Sequence, residues 1–252
     1  MVQITTLFSS AAAILLFGAV GTCQQQWGGP VNRAIVEQQL SDLKAAKVIP
    51  EVLPEFEPTS FIKLMYDDKP VVNAGDVIYP HQAINPPHVW FPAPREDAHY
   101  TLVLVDADAH VPLVRHWIVE NVPGGKPGSS IRDNIPYTPY HGPTPPALTG
   151  KHRYVFALYE QPMVNQSLVP PIVGDPDRHR AFFDLDKFVT ENNLTLVAAT
   201  YVQAEHEDGY EGRGRAPSSV LAAASSSSNA ASVGASSMSM MSSASAAPSS
   251  AV

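Results

Sequence analysis

The sequence predicts one mainly β domain, mostly antiparallel, with a few peripheral helices, and three observations carry that prediction. Short apolar or alternating runs recur at 61–66, 99–105, 116–121, 153–159 and 196–202, each of strand length. Segments dense in proline and glycine separate them, and proline cannot donate to a central ladder. Only 31–49 and 184–192 carry helical character, and no internal repeat interrupts the pattern.

Taken in order, residues 31–49 place Ile35, Val36, Leu40, Leu43 and Val48 at amphipathic spacing, which predicts a helix ended by Pro50. Pro54 and Pro58 punctuate an extended link into Phe61–Tyr66, an alternating strand. Asp67-Asp68-Lys69-Pro70 reads as a turn, after which Val71–Ile78 resumes a short strand. From Tyr79 to Pro94 prolines crowd the chain and leave only Val89-Trp90-Phe91 as a strand, at loop or sheet edge. His99–Val105 and His116–Asn121 are strands, the second closed by a Pro123-Gly124-Gly125 turn. Residues 126–150 read as a long structureless loop, which inside a compact domain is usually functional. Arg153–Tyr159 is a strand and Asp184–Asn192 a short helix with acids early and Asn192 as C-cap. Leu196–Val202 is the last strand.

The two ends differ from this domain. Residues 1–23 read as a secretory signal, with an apolar stretch Ala11–Val20 before Gly21 and Thr22. That stretch is too short to span a bilayer. From Ser218 to Val252 the chain has 35 residues, 15 of them Ser and 10 Ala, and no charge. Such a segment holds too little large apolar surface to offset its ordering entropy, so 218–252 reads as a disordered tail. It lacks the continuous apolar end that a glycolipid-anchor signal needs. All charged residues therefore fall within 24–217, the expected domain. A net charge of −8 argues against nucleic-acid or anionic-membrane binding driven by bulk electrostatics. Cys23, at the signal boundary, is the only cysteine, so a mature secreted domain would rely on its hydrophobic core rather than disulfides. The sequons at Asn165 and Asn193 fit passage through a secretory pathway.

Two clusters can carry chemistry. The first is the seam where an apolar strand meets Asp106 and Asp108, with His116 opening the next strand. The second runs from Gly142-Pro143-Thr144-Pro145-Pro146 to His152-Arg153-Tyr154. A carboxylate beside an imidazole favours its cationic form. Two such histidines and a tyrosine hydroxyl can hold a phosphate or carboxylate by charge-assisted hydrogen bonds, and glycine-containing backbone can approach the same anion. A seam carboxylate could also face an ammonium group, which would suit a zwitterionic ligand. Set against this, Asp-x-Asp after a strand is common turn chemistry, and a single strand histidine is more often a hydrogen-bonded core residue. Asp106, Asp108, His116 and His152 could be imagined around a metal, but no compact histidine motif supports one. No Gly-x-Ser-x-Gly elbow or retained cysteine nucleophile supports catalysis. Neither a metal nor a cofactor is expected.

The stretches TLVLVDADA, RHWIVENVPGG and GPTPPALTGKHRYVFALYEQP resemble the phosphatidylethanolamine-binding protein family, which is marked by Asp-Pro-Asp-x-Pro and Gly-x-His-Arg-Tyr-Val-Phe segments. The second motif stands almost complete at Gly150–Phe156, and the resemblance runs from about Ala34 to Tyr210. The leading helix and the signal look most like the fungal branch related to carboxypeptidase Y inhibitors. The resemblance implies a central antiparallel sheet with a smaller sheet, and an anion pocket at one end. It matches Asp106 and Asp108 to the motif acids, His116 to the His-Trp strand, and His152 and Tyr154 to the second motif. Gly142, Pro145 and Pro146 fall on the adjoining loop, and Tyr210 near the family's C-terminal pocket tyrosine. It further implies binding of phospholipid head groups or phosphorylated ligands, or inhibition of a protease through a protein surface.

This chain departs from the family pattern at Ala107 and His110, which stand where the first motif has prolines, and at Lys151, a position usually apolar. Only seven residues separate Asp108 from His116, which predicts a pocket more open on that side than in relatives. The expectation is a secreted, non-enzymatic binding protein with an anion pocket, or alternatively an inhibitor of a serine carboxypeptidase.

Overall fold

The computed structural model describes residues 31–124, 131–169 and 179–209. The expected signal 1–23, the tail 218–252 and Tyr210 lie outside them. Two antiparallel sheets form the frame. The smaller has the order β2 (Lys69–Val72), β1 (Lys63–Tyr66), β3 (His88–Trp90). The larger has the order β6 (Pro136–Thr138), β5 (Val114–Pro123), β4 (His99–Asp106), β7 (His152–Glu160), β8 (Thr195–Ala204). β4 is central and buried along nearly its whole length.

Alternation along the central strands divides the core. Leu102, Leu104, Trp117, Val119, Phe156 and Leu158 face the smaller sheet and pack on Leu64, Tyr66 and Val89. Val103, Val105, Ile118, Val155 and Ala157 face the other way, onto Leu43, Leu53, Phe183 and Phe188. Both faces are covered, so these strands read as continuous apolar runs rather than strict alternation. Each such fully buried aliphatic side chain contributes about 1.5–3 kcal/mol.

Three helical segments flank the sheets: α1 (Arg33–Ala45), the single turn α2 (Val48–Glu51) and α3 (Leu185–Glu191). The Asn32 side chain caps α1 by accepting from the Ala34 N–H at 3.1 Å. The expected run to Pro50 is cut short at Ala45 because Lys47 adopts φ 57°. That left-handed residue redirects the chain so that Val48 and Ile49 enter the core. α3 matches its expected bounds: Asp184 accepts from the Lys187 N–H at 2.9 Å, and buried Asn192 donates its side-chain amide to the Phe188 carbonyl at 2.8 Å.

Two strand expectations change. Val71–Ile78 is not one strand: β2 ends at Val72, and after a turn the chain runs beside β8. There Gly75 N–H donates to Tyr201 O and Ile78 N–H to Gln203 O, covering an otherwise open edge. The expected structureless stretch 126–150 contains β6, which opens with Pro136. A proline-led strand is tolerated there because β6 is an edge strand and needs donors on one side only. Among the described residues no helix is long and apolar enough to cross a membrane.

Candidate anion-binding site

At one end of the larger sheet, β4 stops and β7 starts. Asp106 lies directly opposite Tyr154 in the β4–β7 ladder. His152 and Tyr154 share the face of Phe156 and Leu158, toward the smaller sheet, while Arg153 shares that of Val155. On β5 the register slips: Leu104 pairs with Trp117 but Val105 with Arg115. His116 is thus the extra residue of a β-bulge, a device that re-aims a side chain. Regular alternation would send His116 to the face of Ile118. Instead its ring stands edge-on to Tyr154, 5.1 Å between centroids at 88°. Arg115 takes the opposite face, 5.5 Å above the Phe183 ring.

The cluster is tightly connected. His152 Nδ1 lies 2.9 Å from Asp106 Oδ2 and 3.2 Å from Oδ1, and its Nε2 lies 2.8 Å from Thr149 Oγ1. The Thr149 hydroxyl donates its proton to Pro146 O at 2.7 Å. The Asp106 carboxylate accepts from His152 Nδ1–H and the Thr149 hydroxyl meets the other ring nitrogen, so the ring is held at both ends, with carboxylate and imidazole both buried.

His116 behaves differently. Its Nδ1 donates to the His141 carbonyl at 2.8 Å, which leaves the lone pair on Nε2. Burial pushes its pKa down to about 4, outweighing that hydrogen bond and the Asp106 charge. His116 is therefore neutral at pH 7, contrary to the expectation that a nearby carboxylate makes it cationic. The Tyr154 hydroxyl is buried and makes no hydrogen bond of good geometry, although the Asp106 carboxylate and the Thr144 backbone lie beside it. Burial first, and the Asp106 charge second, raise its pKa, so the phenol keeps its proton. The site thus offers a weakly held hydroxyl, one imidazole lone pair and a hydrogen-bonded carboxylate–imidazole pair.

The loop after β6 covers this cluster. Gly142 and Pro145 are buried and Pro146 is exposed. The His141 ring packs edge-on to His116 at 5.5 Å. Its outer side borders a cleft of about 330 Å³, together with Thr144, Pro145, Pro146, His206 and Glu207. His206 Nδ1 donates to the Pro145 carbonyl at 3.1 Å and so ties the chain after β8 to this loop.

Asp106, His116, Gly142, Pro145, His152 and Tyr154 are brought together; Asp108 is not. The Asp106 carboxylate accepts from the Asp108 N–H at 2.9 Å, an Asx turn that carries Asp108 to the opposite face. There both of its oxygens bind Arg153, at 2.7 to 3.2 Å. Burial opposes ionisation of Asp108, but the Arg153 guanidinium and backbone N–H outweigh it and hold the pKa below the usual carboxylate range.

The expected opening beside the short Asp108–His116 turn is also not found: His116 is 4% exposed and His152 2%. The turn is pinned to the far face instead, by Ala107 N–H donating to Arg153 O and Phe183 N–H to Leu113 O. It is not a wall of the cluster. His141 and Thr149 belong to the site and were not anticipated; Thr149, one residue from the Gly150 turn before His152, was the more visible signal. Among the described residues, no group of three or more His, Cys, Asp or Glu is arranged to hold a metal ion.

Comparison with known proteins bears on this geometry. Residues 55–207 match the family model described as phosphatidylethanolamine-binding protein. "Protein MOTHER of FT and TFL1 homolog 2" from Oryza sativa subsp. japonica is 36% identical over 148 residues, which is 56% of this chain and 81% of that protein. A "26 kDa secreted antigen" from Toxocara canis is 32% identical over 144 residues, 54% of this chain and 53% of that protein. Among solved structures, "carboxypeptidase Y inhibitor complexed with the cognate proteinase" superposes with a TM-score of 0.58 at 24% identity, covering 70% of this chain and all of that one. At that identity the likeness is one of fold.

Proposed function

This chain belongs to the phosphatidylethanolamine-binding protein family, and on that premise we propose that it is a secreted, non-enzymatic binding protein. Its buried cluster takes the phosphate of a phospholipid head group or of a small phosphorylated ligand. The observation that carries the reading is the buried Tyr154 hydroxyl, which lacks a well-formed hydrogen bond beside the His116 ring and the Asp106–His152 pair. A buried unsatisfied hydroxyl costs about 1–3 kcal/mol, and an anion that accepts from it recovers that cost. The His116 Nε2 lone pair accepts the remaining proton of a monoprotonated phosphate, and the loop 142–146 shapes the entrance. Secretion draws support from the signal-like 1–23, from exposed Asn165 and Asn193 in their sequons, and from the name of the Toxocara relative.

The test is calorimetric titration of inorganic phosphate and phosphoethanolamine into the wild type and His116→Gln. Saturable binding that weakens about tenfold in the variant is expected for one lost charge-assisted hydrogen bond. Equal affinities would remove His116 from the site.

A second reading, inhibition of a serine carboxypeptidase, draws on the inhibitor neighbour and on the leading helix, which resembles the fungal branch of the family. It places the contact on 24–50. Failure of the full chain to inhibit any serine carboxypeptidase would dispose of it.

A further inference from the structure

The face of the larger sheet turned away from the anion cluster carries its own cavity, of about 450 Å³. That is the volume of a small-molecule site. Its walls combine two kinds of side chain. Val52, Leu113, Phe182 and Leu185 supply apolar surface, and Glu51, Asp184 and Asp186 supply three carboxylates. The one cation, Arg153, is already committed. Its guanidinium donates to Asp108, to Glu51 at 3.0 Å and to the Ala46 carbonyl at 2.7 Å. Four of its five N–H donors are used in this way and two carboxylates already neutralise it, whereas the remaining carboxylates keep accepting capacity. Asp184 uses one oxygen on the Lys187 N–H, and Asp186 makes no hydrogen bond or ion pair within the described residues.

Phe182 marks the mouth. Its ring is 70% exposed and its backbone holds φ 58°, a conformation that a bulky residue adopts only at a cost. Nothing in the apolar core requires that ring, because the neighbouring Phe183 fills the core position. Phe182 instead extends the apolar wall of the cavity.

We infer that this cavity is a second ligand site, specific for a small organic cation: a primary ammonium or guanidinium carried on an apolar body. The carboxylates take the charged group and the Phe182–Leu113 wall takes the body, with cation–π attraction added where the charge lies over the ring. The site is distinct from the anion cluster, with the central sheet between them.

The experiment uses the full chain and phenethylamine as the probe, followed by assigned amide NMR. Saturable shifts at Ala107, Leu113, Phe183 and Leu185, with a Kd of about 1 mM or tighter, are expected for a ligand of this size. Phenylacetate, the same ring with its charge reversed, binds about tenfold weaker or not at all. The double variant Asp184→Asn, Asp186→Asn keeps a competent helix cap and loses about tenfold in affinity. Phe182→Gly relieves the positive φ, so its melting temperature is unchanged or higher, yet phenethylamine binding weakens several-fold. Equal binding of the two probes, no loss in the double variant, or no saturable shift would each overturn the site.

Discussion

The two faces of the β4–β7 end start from nearly identical sequence and finish as opposites. On the face toward the smaller sheet, Asp106, His152, His116 and Tyr154 form a closed polar cluster. On the other, Asp108 and Arg153 form a bidentate tie that also reaches Glu51, beside an open cavity. Two residues apart on a continuing strand, Asp106 and Asp108 would share a face. Because the strand ends at Asp106 and an Asx turn follows, they part. The difference teaches that in a Asp-x-Asp end the first acid organises the site and the second anchors the scaffold.

The sharpest way to break this contrast is Asp106→Ala. It leaves the buried His152 Nδ1–H and the Asp108 N–H without their acceptor, so urea unfolding should show a loss of about 2–5 kcal/mol. A loss below about 1 kcal/mol would mean that the pair is not held as described.

The next effect is on pH. The folded pKa of His116, about 4, lies below its ordinary 6.5. The unfolded chain therefore binds the proton first, and this group's contribution is fully present above about pH 6.5 and is lost as pH falls toward 4. Its size is at most about 3 kcal/mol. In His116→Phe the stability should become flatter between pH 6.5 and 4, and an unchanged slope would contradict the neutral buried assignment. Because neutral His116 accepts the proton of a monoprotonated phosphate, phosphoethanolamine should bind more tightly at pH 5.5, where it keeps that proton, than at 7.5.

Smaller still is Asp108→Asn, where partial exposure softens the ion pair. Thermal or urea unfolding at pH 7 should register about 1 kcal/mol. Since the Asp108 pKa is depressed, that contribution disappears as the pH falls through and below the usual carboxylate range.

Much of this is legible in the sequence. The apolar runs named the central strands because both faces of the sheet are covered, and Asn192 announced the C-cap of α3, while Asp184, read as an early acid, is its N-cap. The Gly-x-His-Arg-Tyr-Val-Phe stretch pointed to His152 and Tyr154 through the family resemblance, and β7 sets both on one face. What escaped were features set by partners distant in sequence. The bulge that re-aims His116 exists only in the register of β5 against β4. The side taken by Asp108 is decided by Arg153, 45 residues away. His141 enters through its carbonyl and ring, neither of which has a local pattern, and β6 was hidden by the proline that an edge strand permits.

The most direct test of the central claim is a titration of phosphoethanolamine at pH 6 into three proteins: wild type, Tyr154→Phe and Asp108→Asn. The account predicts saturable binding to the wild type, about tenfold weaker binding to Tyr154→Phe with its fold intact, and wild-type affinity in Asp108→Asn. Equal binding to wild type and Tyr154→Phe, or a loss confined to Asp108→Asn, would place the anion on the wrong face and contradict it.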